Sequence, residues 1–597
     1  MTNVCSWRGM MGAAAIAAAL LVGAARGGAQ AEMPDSGGAH HDMHHDAVPT
    51  AGAEPRLGHI VFATSASPAA HRAFIRGMLY MHNFHYPQAA VAFREAQALD
   101  AGDVMSYWGE ALSYTHPVWN QQDTAAARAA LRRLAPTSAE RLAKARTPHE
   151  RAWLATAEAL YDDDVSKARR DTLFTASLAS LRATYPSDVE AQLFYALSLL
   201  GLNQGDRDVP TYLRAYAIAR RVFATHPNHP GAAHYVIHAV DDPAHAALGL
   251  DAARAYSRIA PDASHAQHMT SHIFIALGVW DDVIAANVRA QHPLHPGAQV
   301  TYGHGVQWLV YGYLQKGRFA DAAAWVDSMR VQTARFASKE MQATGVNRSR
   351  GGYGAEADSR AYLVLDRAAY LADTRQWRSP LAMLDIDTAG LGVHDQAAND
   401  LALGLAALGR GERTRADSIL AGFDARMASE AAASHDEFAS DRGYAEVIEK
   451  VLRAATQHAS GDAESAVATL AAAAVQDDSL PFAFGPPVEI VQPHEMAGEY
   501  LLEMKRASDA AREYKLALAR APGRTAALIG LAMAQLEMGA RADARRTYLL
   551  AAKNLAGAES YADSYSVVRA ADSVATELSA TAVIHARSEP TSRRGRP

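Results

Sequence analysis

Near the C-terminal end, ASDAAREYKLALARAPG (507–523) is echoed by RADARRTYLLAAKNLAG (541–557). Asp509 to Asp543 and Tyr514 to Tyr548 are each 34 residues apart. A period of that length is one pair of helices. A single pair cannot bury its own apolar face, so units of this kind must stack on one another. Tyr514 and Tyr548 are therefore expected to be buried at matching places in successive units. An earlier unit, FIRGMLYMHNFHYPQAAVAFREAQALD (74–100), is as clear, and two more are HIFIALGVWDDVIAANVRA (272–290) and VQWLVYGYLQKGRFADAAAWVDSM (306–329). Alanine is used heavily and β-branched runs are few, which favours helix throughout.

The 74–100 unit resembles the tetratricopeptide pattern through Gly77, Tyr80, Ala89, Phe93 and Ala96. Small residues at such places let antiparallel helices approach, and aromatics fill the space between them. The expected fold is all-α: an α-solenoid of tetratricopeptide-like helical hairpins, with a globular helical bundle as the alternative. Residues 58–335 form a first array, 361–480 a set of middle hairpins, and 481–575 the last repeats. The proline-rich DDSLPFAFGPPVEIVQP (477–493) introduces those last repeats. The glycine-containing, weakly periodic ASKEMQATGVNRSRGGYGAEADS reads as a loop or lid over 336–360, and 576–597 as an arginine-rich tail.

Arg8, the apolar run Met10–Ala25 and Ala29-Gln30-Ala31 fit an export signal with its cleavage site, residues 1–31. The apolar run is short for a spanning helix, so no transmembrane span is expected in the mature chain. That places the protein in the periplasm or outside the cell. Residues 32–57 are a polar, disordered leader whose His40, His41, His44 and His45, with Met43, suit either loose copper or zinc capture or a plain spacer. Cys5 is the only cysteine and lies within the signal. Thiolate zinc sites, disulfides and cysteine nucleophiles are thereby excluded from the mature chain. The net charge of -7 gives no reason to expect nucleic acid.

Histidine is the unusual element. HAQHMTSHIF places His265, His268 and His272 at i, i+3 and i+7, on one helix face. Eight of the 26 histidines fall between residues 226 and 272. His234 and His238 are an i, i+4 pair, as are His268 and His272, and both members of the second pair lie 34 residues after those of the first. The pairs thus occupy equivalent places on the inward helices of consecutive hairpins, with the helix of 244–259 packed outside. Helices so arranged lie about 8–10 Å apart, close enough for four imidazoles to converge on one zinc or copper ion. His304, in TYGHGVQWL, opens the next hairpin and can join from the side. The metal-ligand candidates are His234, His238, His268, His272, His265 and His304. Against this stands a polar network in which the pairs hydrogen-bond to Asp241, Asp242, Ser271 or Tyr235. There is no HExxH motif. His82, His85 and His116 sit beside turns and read as structural. Trp108, Trp119, Trp153 and Trp280 read as core, and Glu495 as a carboxylate favoured by a helix N-terminus.

The blocks VAFREAQALD, SYWGEALSYTHPVWN, HPGAAHYVIHAVDD, HAQHMTSHIF and PFAFGPPVEI together resemble one family of exported bacterial tetratricopeptide proteins. That family has no settled activity, so the resemblance implies a fold and not a reaction. Two function classes follow. One is an envelope scaffold that takes a protein or peptide in its concave groove and carries a histidine-lined metal site there. The other is a metal-dependent enzyme, a hydrolase or oxidoreductase, built on the same cluster; it would need an open coordination position and a base, and Asp241 or Asp242 is the nearest carboxylate in sequence.

Overall fold

The computed structural model describes residues 54–163, 165–202, 207–291, 303–337, 355–432, 439–558 and 570–579. The signal, nearly all of the leader, most of the 336–360 loop and the tail after residue 579 lie outside them. From Pro68 to Asn554 helix follows helix, each packed on its neighbour in sequence. Among the described residues the only sheet is a two-residue pairing, Thr115–His116 against Gln121–Gln122. The protein is an all-α array of helical hairpins, as the period requires.

The repeat aromatics work through glycine. Phe93 sits between Gly77 and Gly109, where an added Cβ would come within 2.6 and 2.5 Å of its ring. Tyr514 sits in the same way between Gly498 and Gly530. Helix–helix approach at these points is set by the absence of a side chain, and the ring fills the gap. Tyr514 is buried, but Tyr548 is only half buried, against the small terminal cluster around Leu528 and Ile529.

Two long-range closures depart from an open solenoid. The first helix, Pro68–His82, packs against Pro230–Ala239, and the segment before it runs along the same hairpins. There Arg56 pairs with the buried Asp262, the His59 amide donates to the Asn228 carbonyl at 3.1 Å, and Leu57 is buried. The folded body therefore includes Arg56 and Leu57. In the second closure the turn at Gly278 meets Pro522 and Gly523. The Trp280 indole donates to the Gly523 carbonyl at 3.0 Å, and the Thr525 hydroxyl to the Gln315 carbonyl at 2.6 Å. Buried Arg524 beside this contact is held by Glu495 at 2.5 Å and Asp373 at 2.7 Å. Glu495 thus serves a buried ion pair rather than only a helix N-terminus.

Candidate metal centre

His234 and His238 lie one turn apart on Pro230–Ala239, whose start is set by Pro230 in the first turn and by the His229 ring, which accepts from the Ala232 amide. His265, His268 and His272 lie on Ser264–Ala276, and His304 is the first residue of His304–Gln315. All but His304 are buried: His234 is 0% exposed, His238 6%, His265 5%, His268 1% and His272 3%. They line the packed interior between hairpins, not the wall of an open groove.

The four paired histidines do not gather about a single point. They sort into two triads, His234/His238/His265 and His268/His272/His304, in each of which one donor atom per residue lies within 4.8 Å of the others. The repeat explains the sorting. Each triad takes an i, i+4 pair from one inward helix and a third ring from the first turn of the next. The middle helix therefore serves both, giving His265 to one and His268 and His272 to the other. The triads are neighbours: the His238 and His272 ring centroids are 6.4 Å apart, and those of His265 and His268 are 6.5 Å apart.

Hydrogen bonds behind the rings decide which nitrogens are free to ligate. His234 Nδ1 lies 2.7 Å from the His82 carbonyl oxygen, which can only accept, so Nδ1 carries the proton and Nε2 is a bare lone pair. His268 Nδ1 faces Asn287 Oδ1 at 2.7 Å, and that amide is oriented by donating through Nδ2 to the Val283 carbonyl. His272 Nδ1 faces the Asp241 carboxylate at 2.5 Å. Carboxylate and carbonyl partners on the far nitrogen are the usual support of metal-ligating histidine. The supported nitrogens point at one another: His234 Nε2 and His238 Nε2 are 3.0 Å apart, and His268 Nε2 and His272 Nε2 are 3.2 Å apart.

Two lone pairs at such a distance repel unless a proton or a cation lies between them. A neutral His238 that carries its one proton on Nε2 can donate to His234 Nε2, whereas burial opposes the second, charging proton on most of these rings. It holds His234 down to about 3, and pushes His238 and His268 well below the ordinary imidazole range. A hydrogen bond within each pair engages two rings, and each triad brings a third imidazole to the same place. Metal–nitrogen bonds of about 2.0–2.1 Å to a pair of nitrogens 3.0–3.2 Å apart would make an N–metal–N angle of about 95–105°, with the third donor within 4.8 Å of both. The residues fit a metal ion at each triad.

Aromatic walls hold the rings. Phe84, at the tip of the first hairpin with a left-handed φ of 55°, places its ring centroid 4.2 Å from that of His234 and 5.4 and 5.5 Å from those of His238 and His265. A non-glycine residue in that conformation is strained, and strain of this kind gathers at functional sites. Trp308 stacks on His272 at 4.2 Å, and Phe484 lies 5.3 Å from the same ring. A small cleft lies beyond them, lined by Asp241 and Phe484, which touch His272, and by Trp280, Tyr311 and Arg520.

A third cluster, His82/Glu190/His229, also brings donor atoms together, but its groups are already engaged. His82 Nε2 and His229 Nε2 donate to the two oxygens of Glu190 at 2.8 and 2.9 Å, and His82 Nδ1 meets the Tyr235 hydroxyl at 2.9 Å. Burial raises the Glu190 carboxyl, but the two facing imidazoles outweigh it and leave the group well below the usual carboxylate range. This network fixes the turn whose His82 carbonyl orients His234. His82 is structural in that exact sense of support, whereas His116 stacks on Tyr86 at 4.2 Å. Of the polar partners expected for the pairs, Asp241 serves His272. Ser271 donates to the His268 carbonyl, Asp242 holds His245 and Arg207, and Tyr235 serves His82. Asn287, Glu190 and Phe84 carried no sequence signal, since each reaches the site only through tertiary packing.

No family model and no curated protein matches the chain. Among solved structures, the human IFIT1 dimer with m7Gppp-AAAA aligns over 83% of this chain and 91% of its own, at 11% identity and a TM-score of 0.30. Yeast Tom70 aligns over 87% and 97%, at 10% identity and a TM-score of 0.28. The APC/C hetero-tetramer Cut9-Hcn1 aligns over 85% and 76%, at 10% identity and a TM-score of 0.29. Scores this low say nothing of the site.

Proposed function

We propose that this protein is an exported helical-repeat scaffold of the cell envelope that binds zinc or copper at two tris-histidine sites. One observation carries the reading: in each of two triads the Nε2 atoms of an i, i+4 histidine pair face one another, at 3.0 and 3.2 Å, with a third imidazole beside them, and three of the four paired rings have Nδ1 against a fixed acceptor. The signal-like N-terminus supports export, and the helical-repeat architecture supports a role in holding a protein or peptide partner. The buried triads cannot themselves be the surface that partner rests on. A metal-dependent hydrolase or oxidoreductase is the second reading, favoured by a three-histidine set, which would leave a bound metal a further position, and by the cleft beside Asp241.

The test is elemental analysis of the full chain with His40, His41, His44 and His45 changed to serine, so that the leader contributes no metal. Near-stoichiometric zinc or copper, retained through gel filtration and lost on changing His234, His238, His268 and His272 together to asparagine, supports the reading. A protein that holds no metal after incubation with either ion contradicts it.

A further inference from the structure

The charge of the site bears on which ion it takes and in what state. Of the four paired rings, His234 is backed by a backbone carbonyl and His268 by an amide, and His272 is backed by a carboxylate, Asp241. Arg207 adds a guanidinium nearby, donating to the Asp241 and Ala239 carbonyls and pairing with Asp242. The surrounding walls are the aromatic rings of Phe84 and Trp308, both fully buried. Two doubly charged ions would place four positive charges against one carboxylate in a region with little water to screen them, which costs heavily. Two singly charged ions halve that charge. Imidazole serves copper and zinc alike, so net charge makes the choice: three neutral nitrogens leave a cuprous site singly charged and a zinc site doubly charged.

Resting on the two-site reading above, we infer that the triads form a single dicopper centre that binds its metal in the cuprous form, with ions close enough to interact magnetically when oxidised. The closeness follows from the shared helix. His265 and His268, one turn apart, belong to different triads, and the cross-triad rings are 6.4 and 6.5 Å apart.

The experiment uses the full chain with the four leader histidines changed to serine, loaded anaerobically with cuprous ion and freed of excess. Copper per chain is counted by elemental analysis, and the sample is then oxidised with ferricyanide and its electron paramagnetic resonance spectrum integrated. The inference expects two coppers per chain, retained against an equal concentration of zinc, and an oxidised spectrum with a spin count well below two or with clear dipolar broadening. The double variant His268→Asn, His272→Asn should then hold one copper with an ordinary isolated signal, which shows that the fold has survived. Two coppers whose spectrum is the sum of two isolated signals would overturn the dicopper centre and leave the two-site reading standing. Zinc displacing the cuprous ions would do the same. Binding of neither metal would overturn both.

Discussion

Acidification of the metal-free protein should unfold it well before its carboxylates protonate. Burial holds His82, His234, His238 and His268 below the ordinary imidazole range in the folded chain, with His234 at about 3. In the unfolded chain all four return to about 6.5. The unfolded state then binds more protons below that pH, so stability is fully present above 6.5 and falls as pH drops toward the folded values. A group neutral in the fold at pH 5.5 and ordinary when unfolded loses about 1.4 kcal/mol between pH 7.5 and pH 5.5. Four such groups lose up to about 5.6 kcal/mol, comparable with the whole stability of many domains at about 5–15 kcal/mol. The assay is urea unfolding followed by circular dichroism at the two pH values, with a chelator present so that metal release does not contribute. The variant His238→Gln should recover about a quarter of the difference. A midpoint unchanged between pH 7.5 and pH 5.5, or one that rises on acidification, would show that these imidazoles are not held neutral inside the fold.

Gly231→Ala should destabilise, although alanine normally improves a helix by up to about 1 kcal/mol. Its Cβ would lie 2.3 Å from His82 Nδ1, and that ring is fixed by Glu190 and Tyr235, so overpacking should cost about 1–3 kcal/mol and lower the melting temperature. An unchanged or higher melting temperature would mean that the ring is free to move. Glu190→Gln should cost about 3–5 kcal/mol, because an amide presents an N–H to one of two imidazole donors and removes the buried charge they share; a loss below about 1 kcal/mol in denaturant unfolding would contradict the assigned network.

The repeat architecture could be read in the sequence because its signals are local. The 34-residue interval and the pairing of aromatics with small residues depend on neighbours within one hairpin, and Phe93 between Gly77 and Gly109 shows the rule at work. The histidine pairs were legible for the same reason, since i, i+4 spacing and repeat register place them without tertiary information. Their partition was not. A single four-histidine site follows from two facing pairs only if no nearer ring intervenes, and His265 and His304 do intervene from the first turn of each following helix. His304 lies 36 residues after His268 and not 34, so the repeat interval did not single it out. Phe84 and the His82 carbonyl reach the centre because the first hairpin folds back onto Pro230–Ala239, a contact across about 150 residues that no periodic pattern encodes, and Glu190, on Val189–Gly201, holds His82 there. The same closure explains why the histidines are interior rather than groove-lining.

The central claim is that each triad is a place for one metal ion. Crystals of the protein soaked anaerobically in cuprous ion, with diffraction data collected on both sides of the copper absorption edge, test it directly. The account predicts two anomalous peaks, each about 2 Å from one nitrogen of every histidine in its triad, with His234, His268 and His272 ligating through Nε2. Empty triads with copper bound elsewhere, or one peak shared by His234, His238, His268 and His272, would contradict it.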